Sequence, residues 1–193
     1  MDVIERAIEF AYKAHQGAKR KTRDIPSVLH SLEAGTIAIR MTDDKNTIAA
    51  CILHDVVEDT PYSLEDIRKE FGDRIAFLVD SETEDKLADR PKEETWIERK
   101  KQLISKIEST DDKEVHILWL ADKLSNMRDF YRLYLMEGDR MWEHFNMKDP
   151  EIQHAYYKRV LECLSDLKDY PAYMELEHYI GLIFRKGDSK WVN

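Results

Sequence analysis

Apolar residues recur at three- and four-residue spacing along most of this chain, a period that only α-helices can bury on one side. Ile4, Ala7, Ile8, Ala11 and Ala14 form one such stripe, and Ile75, Leu78 and Val79 belong to another. Only 6 Gly and 5 Pro punctuate 193 residues, too few for the tight turns of a β-sandwich of this length. The pattern therefore predicts an all-α helical bundle of about eight to ten helices. No internal repeat, Gly/Ser linker or low-complexity tract interrupts it, so residues 1–193 read as a single domain.

Punctuation sets the expected boundaries. A first helix over 2–16 ends at Gly17, and a basic loop, Lys19-Arg20-Lys21-Thr22-Arg23, closes at Pro26. A second helix begins near His30 and runs through Ile39. Asp43 or Asp44 caps a third, expected to continue from Lys45 through Asp55 and on to Asp59, where Thr60-Pro61 stops it. Ser63-Leu64-Glu65-Asp66 has the form of a capping box with Asp in place of Glu, and Gly72 breaks the helix it starts. Residues 81–94 are charged and read as an irregular, mobile loop. A charged helix over Thr95–Glu108 follows, then a long one over Val115–Leu135 capped by Asp111 or Asp112. Two more helices, over 150–168 and 171–186, complete the chain.

Thirty basic against 39 acidic side chains give a formal charge of -9, which weighs against binding a nucleic-acid backbone. A small nucleotide needs only a few local cations and stays compatible. Two cysteines make no disulfide framework, and Cys51, within Ala49-Ala50-Cys51-Ile52-Leu53, reads as a small buried hydrophobe. There is no secretory h-region and no apolar run of about 18 residues, so a cytoplasmic protein without a membrane partner is expected. A homo-oligomer is compatible with all of this.

The chemistry concentrates at the end of the most apolar helix. Glu58 and Asp59 follow His54 and Asp55 by four residues, so at about 100° per residue the four side chains share roughly a 140° arc. An imidazole and three carboxylates on one face repel unless a cation sits among them. His30, at the start of a helix, supplies a third candidate ligand. Asp122 supplies a fourth, because it interrupts Ile117-Leu118-Trp119-Leu120-Ala121, where a carboxylate is costly unless metal-bound or paired with Lys123 or Arg128. Two histidines with two aspartates suit Mn²⁺, Fe²⁺ or Zn²⁺ better than Ca²⁺. His15, His116, His144, His154 and His178 lack a comparable acidic pattern and read as structural, as do Trp142, Phe145, Tyr156 and Tyr157.

The run His54-Asp55-Val56-Val57-Glu58-Asp59-Thr60 resembles the metal signature of the HD superfamily, in particular of RelA/SpoT-type alarmone hydrolases. Ala14-His15-Gln16-Gly17 with Arg20-Lys21 ahead of His30, and Leu120-Ala121-Asp122-Lys123-Leu124-Ser125-Asn126-Met127-Arg128, are similar to two further signatures of that family. Phe71-Gly72, Glu84-Asp85-Lys86 and Glu98-Arg99-Lys100 resemble its short, stand-alone members. The likeness spans residues 5–135 and implies an HD-domain helical bundle that hydrolyses the 3′-pyrophosphate of (p)ppGpp. It implies one divalent ion, Mn²⁺, on His30, His54, Asp55 and Asp122. Glu58 and Asp59 would orient and deprotonate water, Asn126 would meet the ribose, and Arg20, Lys21 and Lys100 the base or phosphates. Ser27-Val28-Leu29 before His30, and Ser125 in place of a common His, depart from the pattern. These departures leave two other readings in view: an HD hydrolase of another phosphate ester, such as NADPH or a nucleoside phosphate, and a non-catalytic nucleotide sensor.

Overall fold

The computed structural model describes residues 1–85, 87 and 89–184. Among these the architecture is all-α. Helix α1 (Val3–Ala14) opens on a reciprocal capping box between Asp2 and Glu5, and its buried residues, Ala7 and Ala11, are small enough to let α3 (Lys45–Leu53) lie close against it. Asp44 caps α3 by accepting from Thr47 N at 2.7 Å, and every residue from Thr47 to Leu53 is buried. Helix α2 (Val28–Ala38) packs on α3 and on α8 (Lys113–Glu137), the central helix, which is capped by Asp112 and buried almost all round from Val115 to Ser125.

Helix α5 (Leu64–Phe71) starts at the Ser63/Asp66 capping box, and Gly72 at φ 89 separates it from α6 (Asp73–Glu82). Helix α7 (Lys92–Glu108) packs against α9 (Pro150–Cys163), and α10 (Pro171–Phe184) lies along α8. A 3-10 segment, Gly138–His144, turns the chain after α8 and was not legible in the sequence; nor was a second one at Ser165–Leu167, where a continuous helix to 168 was expected. Residues 185 and 186 lie outside the described residues. No helix among those described is long and apolar enough to cross a membrane.

Two further expectations need correction. The helix from Lys45 does not run unbroken to Asp59. It stops at Leu53, and Val56–Asp59 forms a separate single turn, α4. The Cys51 carbonyl, which a continuing helix would engage through Asp55 N–H, accepts from His54 Nδ1 at 2.8 Å, and the ladder lapses there. The 81–94 segment is shorter and better anchored than expected. Ser81 and Glu82 belong to α6 and Lys92–Glu94 to α7. Glu84 is buried in an ion pair with Arg99, and Lys106 Nζ reaches the carbonyls of Asp80 and Thr83 at 3.1 and 2.9 Å. Lys86 and Ala88 of that segment lie outside the described residues.

The α2–α3 crossing is tight because Gly35 faces Ile52, where an added Cβ would stand 2.5 Å from Ile52 Cγ1. In an open helix Gly→Ala gains about 1 kcal/mol. Here Gly35→Ala is expected to cost about 1–3 kcal/mol through overpacking, read as a lower urea midpoint with an unchanged slope. A raised midpoint would mean the two helices part without penalty.

Candidate metal centre

Three elements converge on one point. His30 sits in the first turn of α2, His54 at the end of α3, and Asp122 midway along α8. His30 Nε2 lies 2.8 Å from Asp122 Oδ1, His54 Nε2 lies 3.2 Å from the same oxygen, and the two Nε2 atoms are 3.2 Å apart. These three residues each offer a ligand atom within 4.8 Å of the others, and all are buried. Asp55, at the α3–α4 break, stands at the edge of the set, with Oδ1 3.3 Å from His54 Nε2 and Oδ2 3.6 Å from His30 Nε2. Its side chain is 24% exposed against 2–5% for the other three, so it faces the mouth of the site.

The outer bonds fix which nitrogens point inward. His54 Nδ1 must donate, because its partner is the Cys51 carbonyl. His30 Nδ1 is 2.7 Å from Ser125 Oγ, which itself donates to Glu33 Oε2 at 2.8 Å and therefore accepts from the imidazole. Ser125, which stands where a histidine is common in the resembling family, thus orients the His30 ring. Both Nε2 lone pairs and one carboxylate oxygen then face a common centre, an arrangement that only a cation resolves. The donor set fits a divalent transition metal. Without one, a proton takes that role: burial would lower His54, but Asp55 and Asp122 outweigh it and hold the imidazole well above its ordinary range. Burial likewise fails to raise Asp55, because His54 and His30 keep it ionised. Lys123, then His30 and His54, hold Asp122 well below the usual carboxylate range against its burial.

Every site residue nominated from the sequence lines one cavity of about 450 Å³. Burial first, then Asp55 and Glu84, push Glu58 up to about 7 against the pull of Lys100. Asp59 lies on the same wall. Asn126 Nδ2 donates to Asp122 Oδ1 at 2.8 Å, and Asn126 Oδ1 accepts from Arg20 Nη2 at 3.2 Å. Lys100 Nζ, also on the cavity wall, lies 3.1 Å from Glu84 Oε1 and 5.4 Å from the centre of the Tyr156 ring. Phe145, Tyr156 and Tyr157, read from sequence as core, pack against it and also face this cavity.

Several wall residues escaped the sequence reading. Asp129 binds Arg20 at 3.0 Å and Arg23 at 3.2 Å, holding the basic loop onto α8. Lys123 and Glu82 form a buried cluster with Asp122: Lys123 Nζ is 2.6 Å from Asp122 Oδ2 and 2.5 Å from Glu82 Oε1. The Asp122–Lys123 pair considered from sequence therefore exists alongside the histidine contacts, whereas Arg128 pairs with Glu33 and Glu175. Burial and the neighbouring Asp122 raise Glu82 well above the ordinary carboxyl range, opposed by Lys123. The one signal for Glu82 in the sequence was its place in the stripe of Ile75, Leu78 and Val79, where a hydrophobe is due.

A helical bundle that brings a His-Asp pair together with a distant helical aspartate defines a class, and the HD domain family model matches residues 7–144. The chain belongs to the HD domain family. It is 40% identical over 127 residues to the GTP pyrophosphokinase of Streptomyces coelicolor, covering 65% of this chain and 14% of that protein. It is 35% identical over 119 residues to the guanosine-3′,5′-bis(diphosphate) 3′-pyrophosphohydrolase of Haemophilus influenzae, covering 61% and 17%. The chain thus spans less than a fifth of the length of these relatives. Among solved structures it resembles a metazoan ortholog of SpoT described as hydrolysing ppGpp, with a TM-score of 0.71, 27% identity, and 97% of this chain and 96% of that one covered.

Proposed function

We propose that this chain hydrolyses the 3′-pyrophosphate of (p)ppGpp, using one Mn²⁺ ion held by His30, His54, Asp55 and Asp122. The observation that carries this reading is the convergence of three buried ligand atoms, from His30, His54 and Asp122, beside a carboxylate pair on the wall of a cavity that also bears cations. A bound divalent ion supplies Lewis acidity toward water and a phosphoryl oxygen. Glu58 or Asp59 takes the proton from the attacking water, and a carboxyl near 7 matches that task at neutral pH. Water bonds to the phosphorus next to the ribose, the bond from that phosphorus to the 3′ oxygen breaks, the 3′ oxygen takes up a proton from solvent to become a hydroxyl, and pyrophosphate carrying the water oxygen is released. Lys21 and Lys100 offset the charge that shifts onto phosphate oxygens. Arg20, already bound to Asp129, contributes orientation through Asn126.

Two observations favour a second reading, an HD hydrolase of another phosphate ester. The Ser27 hydroxyl lies buried in the cavity wall without a hydrogen-bond partner among the described residues, and Asp129 already neutralises part of the basic loop. Both features alter the wall that selects the nucleotide.

The deciding experiment is pyrophosphate release from ppGpp by the purified protein with Mn²⁺, beside a chelator-treated control. Rapid, metal-dependent release is expected. Absence of release with metal bound would turn the assignment to other phosphate esters, and tight ppGpp binding without turnover would make the chain a sensor.

A further inference from the structure

We propose that Glu82 is a positioning residue for the metal centre: it holds the Lys123 ammonium on the outer oxygen of Asp122, so that the inner oxygen stays with the two histidines. The inference rests on reading His30, His54 and Asp122 as metal ligands.

The Asp122 carboxylate is divided between two environments. Its Oδ1 lies 2.8 Å from His30 Nε2, 3.2 Å from His54 Nε2 and 2.8 Å from Asn126 Nδ2. Its Oδ2 accepts from Lys123 at 2.6 Å, and Glu82 stands within hydrogen-bond reach of the same carboxylate. What keeps the lysine to that one oxygen is its second acceptor, Glu82 Oε1 at 2.5 Å, with the ammonium resting 4.9 Å from the centre of the Trp119 ring. The three partners come from two helices, α6 and α8, and their side chains are only 5–8% exposed.

Such a cluster is a poor investment for stability alone, because buried ion pairs are often replaced by apolar residues at no loss. Glu82 also breaks the apolar stripe of Ile75, Leu78 and Val79 on its own helix. Its position makes sense for the centre. A buried lysine with Asp122 as its single acceptor would settle across both carboxylate oxygens and compete with the metal for the inner one. The second acceptor draws the ammonium aside. Partners that orient a ligand in this way are worth tenfold to a hundredfold in metal affinity.

Two conservative substitutions separate this role from a structural or purely electrostatic one. Glu82→Gln keeps an acceptor oxygen at the same reach but cannot ionise. Glu82→Asp keeps the carboxyl group but falls one methylene short of Lys123. Mn²⁺ affinity of the full chain, measured by calorimetry with folding checked by circular dichroism, is expected to stay within about threefold of wild type for Glu82→Gln and to fall about tenfold to a hundredfold for Glu82→Asp. Wild-type affinity in Glu82→Asp, or an equal loss in Glu82→Gln, would overturn the assignment. A wild-type protein that fails to bind Mn²⁺ would instead overturn the metal reading on which it stands.

Discussion

Asp55→Ala is expected to leave the protein folded, release its metal and lower turnover to the level of the chelator-treated protein. Asp55 is the most exposed of the four proposed ligands, and its side chain makes no capping bond to α4, so its removal costs little local structure. Its loss leaves His30, His54 and Asp122 as an incomplete set, open on the side where water enters. Metal titration with thermal unfolding checks this directly. Ligand present at about a hundredfold over Kd stabilises the native state by about 2.7 kcal/mol, and that gain should vanish in the variant. In the metal-free variant His54 also loses the first of the carboxylates that raise it, so its imidazole should titrate at lower pH by NMR. A variant that keeps stoichiometric Mn²⁺ and full turnover would remove Asp55 from the ligand set.

Glu58→Gln is expected to retain the metal and lose about 10²- to 10⁴-fold in kcat, the usual contribution of a positioned base. The pH profile supplies the second readout. Glu58 must be ionised to accept a proton, and its carboxyl stands near 7, so the wild-type rate should climb with pH through that region and level off above it. A bound cation draws the limb toward lower pH without reversing its direction. The glutamine variant should lack the limb. Stability moves the other way. A folded-state pKa raised above the unfolded 4.5 carries no penalty at pH below 4.5, where both states are protonated; the penalty grows as pH rises to about 7 and levels off above it. Metal-free Glu58→Gln should therefore melt higher than wild type at pH 8 and alike at pH 4. Undiminished turnover would hand the base role to Asp59.

Local patterns carried far in this chain. The helical stripes, the caps at Asp44, Ser63 and Asp112, and the stops at Gly72 and Thr60 all depend on neighbours within four residues, and all stand as the sequence implies. The candidate ligands were legible for a related reason: a charged or imidazole side chain inside an apolar run is costly, and Asp122 and the His54-Asp55 pair announce that cost without any structure. The break after Leu53 was not legible, because it turns on one imidazole taking a carbonyl from the helix that carries it.

Glu82 and Asp129 escaped notice because each earns its role from a partner on another element. Glu82 meets Lys123 from 41 residues away and Asp129 meets Arg20 from 109; Glu82 interrupts an apolar stripe, but nothing local names the partner of either residue. Residue types and local periodicity thus determined the helices and the cast of chemical groups. Tertiary packing alone decided which nitrogen of His30 and His54 faces inward, which oxygen of Asp122 meets the two histidines, and which cations are already bound, since each of these depends on distances between helices that no local pattern encodes.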